Sequence, residues 1–373
     1  MIYADNAATT KLDIDAFEAM KPYLLENYGN ASQPYFFARK PKMAMQAARK
    51  TIAACIGALP EEIYFTSGGT ESDNWVLKCF GLRNDVRRVY TSAIEHHAVL
   101  NACECAIRLP VDSKGIVLPD ALENTFTSDE SPVPSCLATL VSVMLVNNEI
   151  GTIEPIKELA AIAHAHTALF HTDAVQAVGH IPIDVNELSV DMLSASAHKF
   201  NGPKGIGFLY VRKGTPLVPY ADGGAQEQGL RAGTENVASI VGMATALKKN
   251  CDEMQQTIEK LRAMEKDFLD AIHTAGIDFI RNGAENRVPG NISISIRGAS
   301  GEMLLHRLDL KGIAISTGSA CDSVNTKVSH VIQAIGVPQE YAEGTIRVSF
   351  GRDNNMEDAA EVAKAIISVI SSK

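Results

Sequence analysis

Five short segments of this 373-residue chain carry residue types that can do chemistry. TSGGTESDN, residues 66–74, sets two glycines and Thr70 between an apolar run and a helical pattern. Glycines let backbone N–H groups approach a ligand, and a helix N-terminus favours an anion, so Gly69 and Thr70 would suit a phosphate. Standing alone, the segment reads more readily as an ordinary strand-to-helix turn. FHTDAVQAVG, residues 170–179, puts Asp173 just past an apolar strand. A carboxylate there can face a cleft at the sheet's end or simply begin a turn. SASAHKFNGPKGIGFLYV, residues 194–211, holds Lys199 in a short polar loop between two apolar strands. A lysine buried there has a lowered pKa and can form a Schiff base, although most lysines are solvated. Ser196, His198 and Gly202 around it suit a phosphate neighbourhood. STGSACDS, residues 316–323, sets Cys321 in a small polar loop, a poor place for a structural cysteine. An exposed thiol becomes a nucleophile once ionised; an incidental loop cysteine is the plain alternative. TIRVSFGR, residues 345–352, alternates Arg347 with apolar residues. Pointing inward, its planar fork would need an anion such as an amino acid's carboxylate; pointing outward, it would be solvated.

These residues need elements to position them. Candidate strands lie at 63–66, 88–91, 139–146, 169–172, 192–195 and 207–211, several of them apolar almost throughout, as strands covered on both faces are. Helical patterns alternate with them, the clearest starting at Pro155, a residue suited to a first helical position. The alternation predicts an α/β domain with a mixed, mostly parallel sheet flanked by helices. A helical pattern over about 235–275 breaks near Asn250 and Cys251 and would lead to a smaller α+β domain. That part carries NISISI, GEMLLHRL, TIRVSF and a last helix from Met356. The expected division is a large domain over 12–258 and a small domain made of 1–11 and 259–373. The polar stretch 125–135, with Pro132 and Pro134, is expected to be a loop.

Composition excludes several classes. The length suggests about two domains. A net charge of −10 opposes non-specific binding to nucleic acid or anionic membrane. No apolar run is long enough to span a bilayer, and MIYADNAATT does not read as a signal peptide. The seven cysteines include no CxxC pair, so no resident metal site is expected. Cys103 and Cys105 form only a CxC. A reducing cytoplasm fits best.

Taken together, ten segments resemble the cysteine desulfurase family, within the fold-type I pyridoxal-phosphate enzymes and the class V aminotransferase superfamily. They are YADNAATT, YGNAS, FTSGGTESDN, EHHAV, VNNEIG, HTDAVQAVG, SAHKFNGPKGIG, RAGTEN, STGSACDS and IRVSFGR, in order over nearly the whole chain. The resemblance implies pyridoxal 5′-phosphate held by Lys199 through a Schiff base. Asp173 would pair with the ring nitrogen, whose protonation makes the ring an electron sink. Gln176 would contact the ring oxygen, with Asn148 near it. His96 would lie on the ring face and move protons. Gly69, Thr70, Ser196 and His198 would hold the phosphate. Thr234 would reach a phosphate across a homodimer interface. Arg347 and Asn30 would bind the substrate carboxylate.

Cys321 would accept sulfur from L-cysteine as a persulfide, leaving L-alanine, and at most ligate an Fe–S cluster transiently. The loop 316–330 is as long as in the long-loop branch of that family. The implied partner is a sulfur-acceptor protein such as an Fe–S scaffold; other sulfur-containing cofactors and tRNA thiolation are open destinations. This chain departs from the family pattern at Tyr35 and at Asp322 and VNTK (324–327), which bears on the acceptor more than on the chemistry. A selenocysteine lyase or another class V aminotransferase is the nearest alternative, and a cofactor-free scaffold the most distant one.

Overall fold

The structure is a computed structural model describing residues 1–81, 88–128, 139–317 and 328–371. The chain opens with β1 (Ile2–Tyr3), α1 (Ile14–Leu25) and α2 (Arg39–Cys55). There follow β2 (Ile63–Thr66), α3 (Gly69–Gly81), β3 (Val89–Ser92), α4 (His97–Leu100), β4 (Ile107–Leu109) and α5 (Pro119–Ser128). Next come β5 (Leu140–Ser142), α6 (Ile156–Ala165), β6 (Leu169–Asp173), β7 (Met192–Ser196) and β8 (Gly207–Val211). Two long helices, α7 (Val237–Asp252) and α8 (Met254–Thr274), lead into β9 (Phe279–Arg281), β10 (Asn291–Ile296), α9 (Gly301–Asp309) and β11 (Ile313–Ala314). The chain ends with α10 (His330–Ala334), α11 (Gln339–Ala342), β12 (Thr345–Ser349) and α12 (Met356–Ser371).

Seven strands form the main sheet in the order β2-β8-β7-β6-β5-β3-β4. Strands β3 to β7 run parallel, while β8 is antiparallel to both its neighbours, so the sheet is mixed and mostly parallel as expected. Helices cover it, and Phe65, Val141, Phe170, Leu193 and Phe208 pack with Ile52, Leu159, Ile240 and Leu247 in one core. Burial on both faces explains why these strands read as near-continuous apolar runs. Polar residues interrupt that rule at the carboxyl ends of β6 and β7, in His171, Thr172, Asp173, Ser194 and Ser196, all buried. From β3 the chain steps outward to β4, then returns past β3 to β5. That reversal of strand order is where α/β sheets hold ligands, beyond the strands' carboxyl ends.

A second core joins β10 and β12 to α8 and α12 through Ile292, Ile294, Ile346, Val348, Phe268, Val362 and Ile366. The N-terminal segment connects the two cores. Its β1 pairs in parallel with β11, and residues 7–11 then lie along the turn after β7. There Thr10 N–H donates to the His198 carbonyl (2.9 Å) and Asn201 N–H to Thr10 Oγ1 (2.8 Å).

Two expectations change. The stretch 125–135 begins as helix, because Thr125–Ser128 complete α5, where Thr125 Oγ1 donates to the Ala121 carbonyl (2.7 Å). The run 139–146 keeps only three residues on the ladder. From Val143 the chain leaves β5 and crosses the sheet's end, Leu145 N–H donating to the Asp173 carbonyl (2.9 Å); it stays apolar because it stays buried.

Candidate active site

A cavity of about 600 Å³ opens at the carboxyl ends of the parallel strands. One wall is the start of α3. Its first-turn amides have no acceptor within the helix and face the space. Only glycine fits here: Gly68 sits at φ +150°, and a Cβ on Gly69 would lie 2.5 Å from Val175 Cγ2. Thr70 follows on the lining.

The floor is Asp173, the last residue of β6 and 5% exposed. Its Oδ1 accepts the Val175 N–H at 2.9 Å. Burial raises its pKa, opposed by the His96 and Lys199 charges, so the carboxylate gains most from a cationic partner. His96 caps α4, its Nδ1 accepting the Ala98 N–H at 3.1 Å. That bond puts the proton of the neutral ring on Nε2, and burial lowers the ring's pKa.

Lys199 ends the short turn after β7. Its Nζ donates to the carbonyls of Ala7 (2.6 Å) and Ala8 (2.8 Å). Gln176 Nε2 donates to the same Ala7 carbonyl at 2.9 Å. His198 Nδ1 lies 3.1 Å from Thr9 Oγ1, and burial, with Lys199 and Lys204 nearby, pushes its pKa down to about 4. The opening segment YADNAATT therefore forms a wall of the cavity rather than a tail.

Arg347 points inward from β12 and is 4% exposed. The anion it meets is Asp5, at 2.8 Å from Nη2; Nη1 donates to the Asn148 carbonyl, also at 2.8 Å. Its Nε has no partner among the described residues, leaving one buried donor for a further acceptor.

Behind the floor lies a layer of buried acids. His171 binds Ser142 Oγ (2.9 Å) and Ser194 Oγ (3.0 Å) and lies 3.7 Å from Asp73 Oδ1. Burial pushes His171 down to about 3, and burial together with Asp173 pushes Asp73 well up, so this contact joins neutral groups. Glu95 is fully buried, and burial pushes it up to about 8. Its Oε1 accepts the Ser92 hydroxyl (2.5 Å) and the Met144 N–H (2.9 Å). Between about pH 5 and 8 the unfolded chain ionises this group while the folded chain keeps the proton, so its presence costs stability as pH rises. Glu95→Gln removes that cost. We expect the variant's unfolding free energy, measured by chemical denaturation, to gain on the parent's steadily through that window, on the order of a few kcal/mol by pH 8; stabilities that keep a constant difference from pH 5 to 8 would contradict it.

Of the residues singled out in the sequence, Lys199, His96, Asp173, Gln176, Asn148, Gly69, Thr70, Ser196, His198 and Arg347 all line this one cavity. Asn30 and Thr234 do not; the segments that carry them meet where Ser32 Oγ donates to Glu235 Oε1 at 3.1 Å. Cys321 lies outside the described residues. The sequence reading missed Asp5 and the carbonyls of Ala7 and Ala8, although YADNAATT was in view. It also missed Asp73, which stands four residues after Gly69 and so on the same face of α3.

A glycine-headed helix, a buried carboxylate, an imidazole and a lysine around one cavity at the end of such a sheet mark a cofactor-dependent α/β enzyme. The chain belongs to the aminotransferase class-V family, whose model matches residues 2–362. Within that family it sits among the cysteine desulfurases. It is 47% identical over 367 residues to the cysteine desulfurase IscS of Dictyoglomus turgidum, covering 96% of this chain and 91% of that one. Among solved structures, a NifS-like protein superposes with a TM-score of 0.90 at 34% identity, covering all of both chains. SspA, solved in complex with cysteine, superposes with a TM-score of 0.80 at 32% identity over 94% of this chain and 99% of that one. The fold is that of the fold-type I pyridoxal-phosphate enzymes.

Proposed function

We propose that this chain is a pyridoxal-phosphate-dependent cysteine desulfurase, which moves the sulfur of L-cysteine onto Cys321 and releases L-alanine. The observation that carries the reading is the convergence of Lys199, Asp173, His96 and Arg347 on one cavity. The residues fit the cofactor: a helix start with no room for a Cβ at Gly69, a buried carboxylate at Asp173 and the amine of Lys199, all lining one cavity. Lys199 would hold it covalently, Asp173 would keep its ring nitrogen protonated, and Gln176 and Asn148 would face its ring oxygen. Gly69, Thr70, Ser196 and His198 would take its phosphate. Bound there, it would supply an electron sink that acidifies the substrate's α-carbon and weakens the bond from β-carbon to sulfur.

The chain's own residues do the rest. Arg347, held in line by Asp5, takes the substrate carboxylate through its unpartnered Nε. Lys199 Nζ would take the proton from the substrate's α-carbon. His96 carries its exchangeable proton on Nε2, on the cavity side, and serves as the second acid–base group. Cys321, as thiolate, attacks the substrate sulfur: a sulfur–sulfur bond forms, the carbon–sulfur bond breaks, and its electron pair stays on carbon. That carbon takes a proton and becomes the methyl group of alanine.

A homodimer belongs to this reading. Asn30 and Thr234 lie off the cavity, and large apolar side chains stand exposed around Asn30 in the sequence, among them Tyr28, Phe36, Leu25 and Met43. Such a patch calls for cover, and a second copy would bring Thr234 to the partner's phosphate site. Among the described residues no helix is long and apolar enough to cross a membrane. The persulfide would pass to an acceptor protein such as an Fe–S scaffold.

The test is product analysis. With L-cysteine and a thiol reductant, the purified enzyme is expected to yield alanine and sulfide in equal amounts. Transamination of a keto acid without sulfide, or turnover confined to selenocysteine, would overturn the assignment.

A further inference from the structure

Away from the cavity, two thiols face each other across a single residue. Cys103 and Cys105 follow α4 and precede β4, the outer strand of the main sheet, and their Sγ atoms lie 3.6 Å apart. A turn closed by the Ala106 N–H on the Cys103 carbonyl (3.1 Å) brings them together. Arg108 Nη2 donates to the Leu100 carbonyl at 3.1 Å and ties the two flanks of this loop. The thiols differ in setting. Cys103 is 5% exposed and packs in the core formed by Trp75, Phe80 and Val99, whereas Cys105 is exposed.

We propose that Cys103 and Cys105 form a thiol–disulfide exchange site that reacts with low-molecular-weight disulfides of the glutathione type. Cys105 is the entry thiol. Its thiolate attacks one sulfur of the small disulfide; a mixed disulfide forms, the small molecule's own sulfur–sulfur bond breaks, and one half leaves as a thiol with the proton. Cys103 then attacks the Cys105 sulfur, closing the pair and expelling the second half as another thiol. The protein pair loses two electrons and the small disulfide gains them. A disulfide needs its sulfurs about 2.05 Å apart and its Cα atoms within about 6.8 Å. Two residues span at most about 7 Å of chain and the turn shortens that span, which brings the pair near the required separation with a 3.6 Å gap between sulfurs left to close. Burial, with the Cys105 contact behind it, pushes the Cys103 thiol up to about 11, so Cys103 is not the thiol that opens the exchange. The site is independent of the desulfurase reading.

The readout is local. Trypsin releases residues 89–108 as one peptide, VYTSAIEHHAVLNACECAIR, holding these two cysteines and no other. Reactions at Cys321 fall in a different peptide and do not enter. The cofactor-loaded enzyme is reduced, freed of reductant, incubated with oxidised glutathione, quenched with iodoacetamide and digested. The expected peptide is two hydrogens lighter than the reduced form and carries no alkyl group. Cys103→Ser stops at one glutathione on Cys105, and Cys105→Ser, on the exposed side, takes up none. Two alkylated cysteines, or a glutathione that stays on Cys105 in the unaltered enzyme, would overturn the proposal.

Discussion

Lys199→Ala yields a protein that stays colourless when incubated with pyridoxal phosphate and that loses at least about 10³-fold in sulfide release, since it removes both a covalent anchor and a proton-transfer group. The fold is expected to survive. The turn bearing Lys199 stays laced to the N-terminal segment by the Thr10 and Asn201 bonds, none of which uses the lysine side chain. Lys199→Arg separates two roles. Arginine keeps a positive charge beside the Ala7 and Ala8 carbonyls but cannot form a Schiff base, so its colour is also lost. Absorbance, circular dichroism and a sulfide assay on the same samples check this. An arginine variant as yellow and active as the parent would show that charge alone is at work there.

Cys321→Ser behaves in the opposite way. Colour is retained and sulfide release falls by at least about 10³-fold, because serine's hydroxyl is not ionised near neutrality and is a far weaker nucleophile than a thiolate. Lys199, Asp173 and Arg347 are untouched, so the variant still exchanges the α-proton of L-cysteine with solvent deuterium, seen by proton NMR. Undiminished sulfide release would remove Cys321 from the chemistry. Loss of deuterium exchange along with sulfide would mean that the substitution damages the cavity itself. Position 321 lies outside the described residues, and its assignment rests on STGSACDS and on the family's motif.

Legibility in the sequence followed the physics of each element. Strands β2 and β8 have the expected bounds because a strand buried on both faces is a near-continuous apolar run, and β10 because NISISI alternates with a period of two. The long pattern over 235–275 does break, at Glu253, one residue after α7 ends. The strands that escaped notice, β1, β4, β9 and β11, are two or three residues long, and their partners, not their side chains, make them strands. Most cavity residues were legible because glycine, lysine, aspartate and histidine are set in segments whose residue types are unusual together.

The supporting contacts were not. Asp5 and Arg347 are 342 residues apart in sequence, and no local pattern joins them. Lys199 is held by two backbone carbonyls, which every residue has. Asp73, Glu95 and Glu154 are buried, against the usual expectation that charges mark surface.

The most direct test of the central claim is to trap the cofactor. The loaded enzyme is reduced with borohydride, digested, and the peptide carrying the pyridoxyl group is sequenced by mass spectrometry. The modification is predicted on Lys199 and on no other lysine. A pyridoxyl group on a different residue, or none despite full exposure to the cofactor, would contradict the account.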